Sequence, residues 1–186
     1  MTAPSSDHPI HAEDLPYVAP EEGLSELVAG EVVREPPPSE EHGWVAGNVF
    51  GLLWSFVRER RLGRVYAAET GFVLRRDPDT VRAPDVAFVS AERLAQEDRR
   101  GPYFEGAPDL AVEVLSPGTG PVATAAKVRD FLAAGARGVW VVDPTRRTVT
   151  VHRTDHVPRT LSTNDTLDAD PAVPGFLLPV RAIFEG

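Results

Sequence analysis

Glu113 interrupts an otherwise apolar run, Leu110, Ala111, Val112, Val114 and Leu115, inside the stretch APDLAVEVLSPGT of residues 107–119. A carboxylate drawn out of water costs several kcal/mol unless a cation, a metal or several donors meet it. Asp85, in RAPDVAFVS, is a second acid, at the opening of another apolar strand. Lys127, 14 residues beyond Glu113, is the single lysine among 19 basic residues; the other 18 are arginine. Arginine stays protonated and offers a planar fork, whereas lysine delivers a compact charge whose pKa can be moved. Two acids on neighbouring strands with one ammonium on a covering helix make a site for a divalent cation and an activated water. Mg2+ and Mn2+ take oxygen ligands, keep several waters, and use one or two carboxylates together with substrate phosphate oxygens. The backbone carbonyl of Val114 can complete the set. Such an ion lowers the pKa of its water and neutralises charge developing on a phosphate, and a nearby lysine orients the water or stabilises the same transition state. Taken singly, each residue also has a bland reading: a strand-opening aspartate beside Pro84, half of a structural ion pair, and a solvated surface amine.

The elements that must position these residues follow from periodicity and punctuation. LSELVAGEVVREPPPS, residues 24–39, reads as a β-hairpin about Gly30 closed by three prolines. Ser39 is an N-cap with Glu40 and Glu41 in the first turn, and a helix runs to about Leu62 on an apolar stripe of Val45, Val49, Leu52 or Leu53, and Phe56. Gly63 is its expected stop. Residues 64–76 and 81–90 read as antiparallel strands about the turn DPDT, and residues 91–108 as a short helix and a surface loop. The Glu113 strand covers 109–115, a second helix 122–134 ends at Gly135, and GVWVVDPTRRTVTVHRT is strand, turn, strand. NDTLDAD reads as turn and PGFLLPVRAIFEG as a last short helix. A strand, crossover helix and strand over 109–143 makes a right-handed parallel pair, hence an α/β fold with a mixed central sheet flanked by helices and an N-terminal β-hairpin.

A chain of 186 residues buries roughly 70% of its unfolded surface, enough for one core. Residues 1–22, polar and without periodicity, are expected as a flexible arm, and 23–186 as a single domain. The absence of cysteine excludes disulfides and thiolate zinc sites. No apolar run is long enough for a membrane span and the first 20 residues lack signal-peptide zones, so the expected location is cytoplasmic. The net charge of −9 argues against a broadly basic, nucleic-acid-binding surface while leaving room for a local basic groove.

The PDV of residues 84–86, PDLAVEVLSP of 108–117, the lysine-bearing helix ending in AAG and VWVVDP of 139–144 resemble the Uma family of putative restriction endonucleases, a branch of the PD-(D/E)XK nuclease superfamily. LVAGEVV, PPPSEEHG and ETGFVL extend the resemblance over roughly residues 24–185. It implies a restriction-endonuclease-like core and an Mg2+- or Mn2+-dependent endonuclease that hydrolyses phosphodiester bonds in DNA with metal-activated water, leaving a 5′-phosphate. Asp85 and Glu113 would hold the metal and Lys127 would complete the catalytic set. Leu115 stands where the wider superfamily places its lysine, and the family is understood to supply it from the next helix, where Lys127 lies. Ala123 stands where many relatives carry an acid. His42 and Glu31 match further family positions, against the alternatives of a packing histidine and a structural acid. Glu69, in AAETGFVL, is either an added carboxylate or a surface residue.

Two other readings stay open: an inactive nuclease-fold binding or interaction module, and a metal-free hydrolase using Asp85 and Glu113 as acid and base. Arginines in RERRLGR, residues 58–64, and Arg75, Arg76 and Arg82 are the candidate phosphate contacts, giving weak, salt-sensitive DNA binding. A homodimer suits two-strand cleavage, with Trp44, Trp54 and Phe56 serving either the core or that interface.

Overall fold

A computed structural model describes residues 9–18, 24–96, 101–118 and 120–185. In chain order the elements are α1 (Leu15–Val18), β1 (Leu24–Val28), β2 (Glu31–Glu35), α2 (Glu40–Arg60), β3 (Gly63–Ala67), β4 (Phe72–Arg75), β5 (Thr80–Arg82) and β6 (Val86–Ser90). Then come α3 (Ala91–Gln96), β7 (Phe104–Glu105), β8 (Leu110–Val114), α4 (Pro121–Ala133), β9 (Gly138–Asp143), β10 (Thr148–His152), β11 (Arg159–Leu161), β12 (Thr166–Asp168) and β13 (Leu177–Pro179). A 3-10 turn, Val180–Ile183, closes the chain where a short helix is expected.

The central sheet has six strands in the order β11-β10-β9-β8-β6-β3, and a five-stranded sheet, β2-β1-β5-β4-β7, lies beside it. β8 and β9 are parallel, with Val114 beside Val142, which is the crossover the sequence implies. β8 is buried along its whole length, as befits a strand covered on both faces. Leu110, Val112 and Val114 join Val45, Val49, Leu53 and Val57 of α2, together with Trp140 and Phe176, in the larger core. Ala111 packs with Val139 and Val141 against Val128 and Phe131 of α4. Strand side chains alternate faces, so Glu113 shares the α4 face with Ala111.

α2 begins as expected: the Ser39 hydroxyl accepts from the His42 amide at 3.2 Å. Its end differs. Arg61 takes the left-handed conformation, φ 56°, and its amide donates to the carbonyls of Val57 and Arg58. Gly63 instead opens β3, where an added Cβ would stand 2.1 Å from the Val89 carbonyl oxygen.

Residues 64–76 and 81–90 are not one strand each. β3 and β6 belong to the central sheet and β4 and β5 to the other, so the chain changes sheet twice, at the turn around Glu69 and through Ala83-Pro84-Asp85. Proline has no N–H to give a ladder, and the break at Pro84 is where β5 stops. Between 91 and 108, β7 adds a short strand parallel to β4. NDTLDAD, expected as turn, contains β12, which pairs with β13. Of the expected arm, residues 1–8 and 19–22 lie outside the described residues. Within residues 9–18, Ala12 and Leu15 are buried with Leu27, Val73 and Val81, and the Ala12 amide donates to Asp79 at 2.8 Å, while Tyr17 and Val18 are exposed. Among the described residues no helix is long and apolar enough to cross a membrane.

Candidate active site

Asp85, just ahead of β6, is aimed at the end of β8 because its Oδ2 accepts the Val114 amide at 2.7 Å. That bond fastens it to the residue next to Glu113. His42, in the first turn of α2 and in line with the buried stripe, reaches the same oxygen with Nε2 at 3.1 Å. From the other face α4 delivers Lys127, whose Nζ lies 3.4 Å from Glu113 Oε2, 3.4 Å from Glu26 Oε1 and 3.3 Å from Glu35 Oε1. The carboxylate questioned in the sequence therefore has a cation. It is only half satisfied, since Glu113 Oε1 is buried without a hydrogen-bond partner, as is His42 Nδ1.

Asp85, Glu113, Lys127, His42 and Glu69 all line one cavity of about 850 Å³. Glu69 does so from the exposed turn between β3 and β4, at φ 70°, and not from a strand. Glu31 stands apart, exposed at the turn end of the hairpin opposite Val28. The acids that reach Lys127 from that hairpin are Glu26, which is 1% exposed, and Glu35. Sequence reasoning missed both, although Glu26 in LSELV carries the same signal as Glu113, a lone acid inside an apolar strand.

Glu26 is the hinge of a wider network. Its Oε1 accepts the Ala83 amide at 2.9 Å and its Oε2 the Arg82 guanidinium at 2.7 Å, and Arg82 also binds Asp130 of α4 at 2.7 Å. Arg82 is thus buried structure. Arg76 is likewise committed, to Glu13, Asp79 and Glu105, and Arg75 donates to Thr80.

Burial pushes the Glu113 carboxyl up to about 8, against the pull of Lys127 and with Asp85 and Glu26 adding to the rise. Burial draws the Lys127 ammonium down, but Glu113, Glu26 and Glu35 outweigh it and hold it above its ordinary range. The three surrounding acids thus favour the ammonium form of Lys127. Glu113 is the group whose charged form burial disfavours.

Those properties fit a hard divalent ion. Among the described residues no group of three or more His, Cys, Asp or Glu could hold a metal ion. An ion here would rest on Asp85, Glu113 and backbone oxygen, with water filling its shell, which is how Mg2+ is commonly held.

The family model described as Uma2, putative restriction endonuclease, matches residues 11–181. Among curated proteins none matches this sequence. The fold is similar to the crystal structure of a putative nuclease belonging to DUF820 from Anabaena variabilis, with a TM-score of 0.81, 21% identity, and coverage of 95% of this chain and 98% of that one. At that identity the likeness is one of fold: mixed sheets flanked by helices. With the family model spanning nearly the whole chain, the protein is a member of the Uma2 family of putative restriction endonucleases.

Proposed function

We propose that the chain is an Mg2+- or Mn2+-dependent endonuclease that hydrolyses phosphodiester bonds in DNA. Asp85, Glu113 and the Val114 carbonyl would be the metal ligands, with Lys127 completing the catalytic set. The observation that carries this reading is the buried, unpartnered Oε1 of Glu113, beside the Lys127 ammonium and in one cavity with Asp85. When bound, a divalent ion supplies Lewis acidity to a phosphate oxygen and acidifies water. The chain's own residues do the rest. Val114 N–H and His42 Nε2 both address Asp85 Oδ2 and so fix that carboxylate's orientation. Lys127 holds Glu113 Oε2 and places positive charge where phosphate charge grows. Glu26 and Glu35 hold Lys127.

The test is plasmid nicking with Mn2+, comparing Glu113→Gln with the parent. The variant loses metal-dependent cleavage; equal cleavage refutes the assignment. Cutting both strands is assigned to a pair of copies, and Trp44 and Trp54, 48% and 40% exposed, are free of the core to join them.

One observation favours a second reading, a nuclease-fold module without catalysis: three carboxylates already surround Lys127. Calorimetric titration with Mn2+ separates the two, since absence of binding at millimolar metal selects the module.

A further inference from the structure

The positive charge a phosphate backbone needs lies elsewhere than the arginine-rich motifs suggest. Arg82 is buried between two carboxylates and Arg76 is shared among three, whereas Arg146 meets one and stays exposed; RERRLGR starts 16 residues past His42. At about 1.5 Å per residue that is about 24 Å along α2, towards the far end of the sheet.

Another group stands at the cavity's end of the sheet. β9 runs parallel to β8, so the turn after Asp143 leaves from the same edge as Glu113 and Val114. That turn carries Arg146 and Arg147. β10 starts at Thr148 opposite Asp143, and β11 ends at Leu161 opposite Val149, so Ser162, Thr163 and Asn164 emerge at this edge too. Arg181 is brought alongside because the Val180 amide donates to the Asp165 carbonyl, while Asn48 of α2 donates to the Ile183 carbonyl at 3.1 Å. Arg146, Arg147, Arg181, Thr163 and Asn164 line a second cavity, of about 440 Å³.

The acids close by are partly spent. Asp143 receives Arg146 at 2.9 Å, and Asp165 accepts the Ser162 amide and hydroxyl at 2.7 and 2.8 Å; Glu185 also lines the cavity. Arg147 donates to the Phe184 carbonyl at 3.2 Å and lies over its ring. Planar guanidinium forks beside hydroxyl and amide donors are the equipment that recognises phosphate oxygens. From β8 to β10 is two strand spacings, about 10 Å in the sheet. That is the rise of about three phosphates along one DNA strand.

We propose that this cradle is a phosphate-binding subsite for duplex DNA, gripping the backbone a few nucleotides from the bond placed in the larger cavity. It rests on the nuclease reading, and it gives a chain of net charge −9 a local basic foothold at the productive edge.

The experiment measures binding of an end-labelled duplex by anisotropy in excess chelator, from about 50 to 200 mM salt. It compares the parent, Arg146→Gln/Arg181→Gln, and the control Arg153→Gln, which lies past the far end of β10. Hydrolysis of bis(p-nitrophenyl) phosphate with Mn2+ is followed in parallel. The double variant is expected to bind at least about tenfold more weakly at low salt, with the slope of log affinity against log salt shallower by about 2. The control keeps the parent's slope. Hydrolysis of the small diester is unchanged. An unchanged slope in the double variant, or a parent that does not bind duplex at all, overturns the subsite. A shallower slope in a protein that hydrolyses neither diester nor DNA supports the subsite and sinks the nuclease reading. Diester hydrolysis with an unaltered slope does the reverse.

Discussion

Glu113 is held towards the less familiar half of its chemistry, the neutral acid, and Lys127 towards the familiar half, the ammonium. For Glu113 the folded-state pKa is raised, to about 8, so the folded chain binds a proton there that the unfolded chain releases near 4.5. The stability this contributes is complete below the unfolded value and is lost as pH rises through the folded one. In the presence of chelator, Glu113→Gln should therefore melt progressively higher than the parent between about pH 5 and 8, because the amide needs no proton. Thermal denaturation of both proteins across that window checks it. A constant offset between the two curves would mean that the carboxyl is already ionised in the fold. The same residues show what is legible at this scale. Asp85, Glu113 and Lys127 stand out by residue type and setting, and the fold gathers all three in one cavity. Glu26 carries the same local signal as Glu113 and Glu35 carries none, but for neither does anything local say that a hairpin nearly a hundred positions upstream lies against α4. That contact is decided by which sheet β1 joins.

The elements were readable where one physical cause acts alone. Ser39 caps α2 as its hydroxyl and the acids after it require, and β8, α4 and β9 follow from apolar runs with clear stops. The unread part is the division of 64–90 between two sheets. Each half has strand-like composition, and a chain that changes partner leaves no mark beyond Pro84 and a left-handed Glu69. Arg82 holds that division in place, bridging Glu26 of β1 and Asp130 of α4 from β5. Removing one member strands buried carboxylate charge, at a cost of about 3–5 kcal/mol. Arg82→Met should accordingly lower stability to urea by about that amount, whereas Arg58→Met, stacked on Trp54 at the exposed end of α2, should cost well under half as much. Equal losses in the two variants would remove Arg82 from its bridging role.

For the molecule as a whole, the charge distribution matters more than its total. An acidic protein can still meet a polyanion if its cations stand at one edge, and the parallel β8-β9 pair sends both the Glu113 end and the Arg146-Arg147 turn to that edge. The sequence reading looks for phosphate contacts at the far end of α2, and the proposed subsite looks for them at the turn after β9. Arginine clusters are conspicuous in a sequence, but their use depends on which end of an element they occupy.

The enclosure of Lys127 has a practical corollary. It is the sole side-chain amine in 186 residues, and it is 9% exposed with three acids around it. Acylating reagents that label most proteins at many places should leave every internal peptide of the native chain unlabelled. Denatured chain should gain one modification, at Lys127, visible by peptide mass. The slow appearance of that single mark under native conditions would time how often the β1-β2 hairpin lifts from α4, giving a clock for opening that needs no substrate, no metal and no engineered probe.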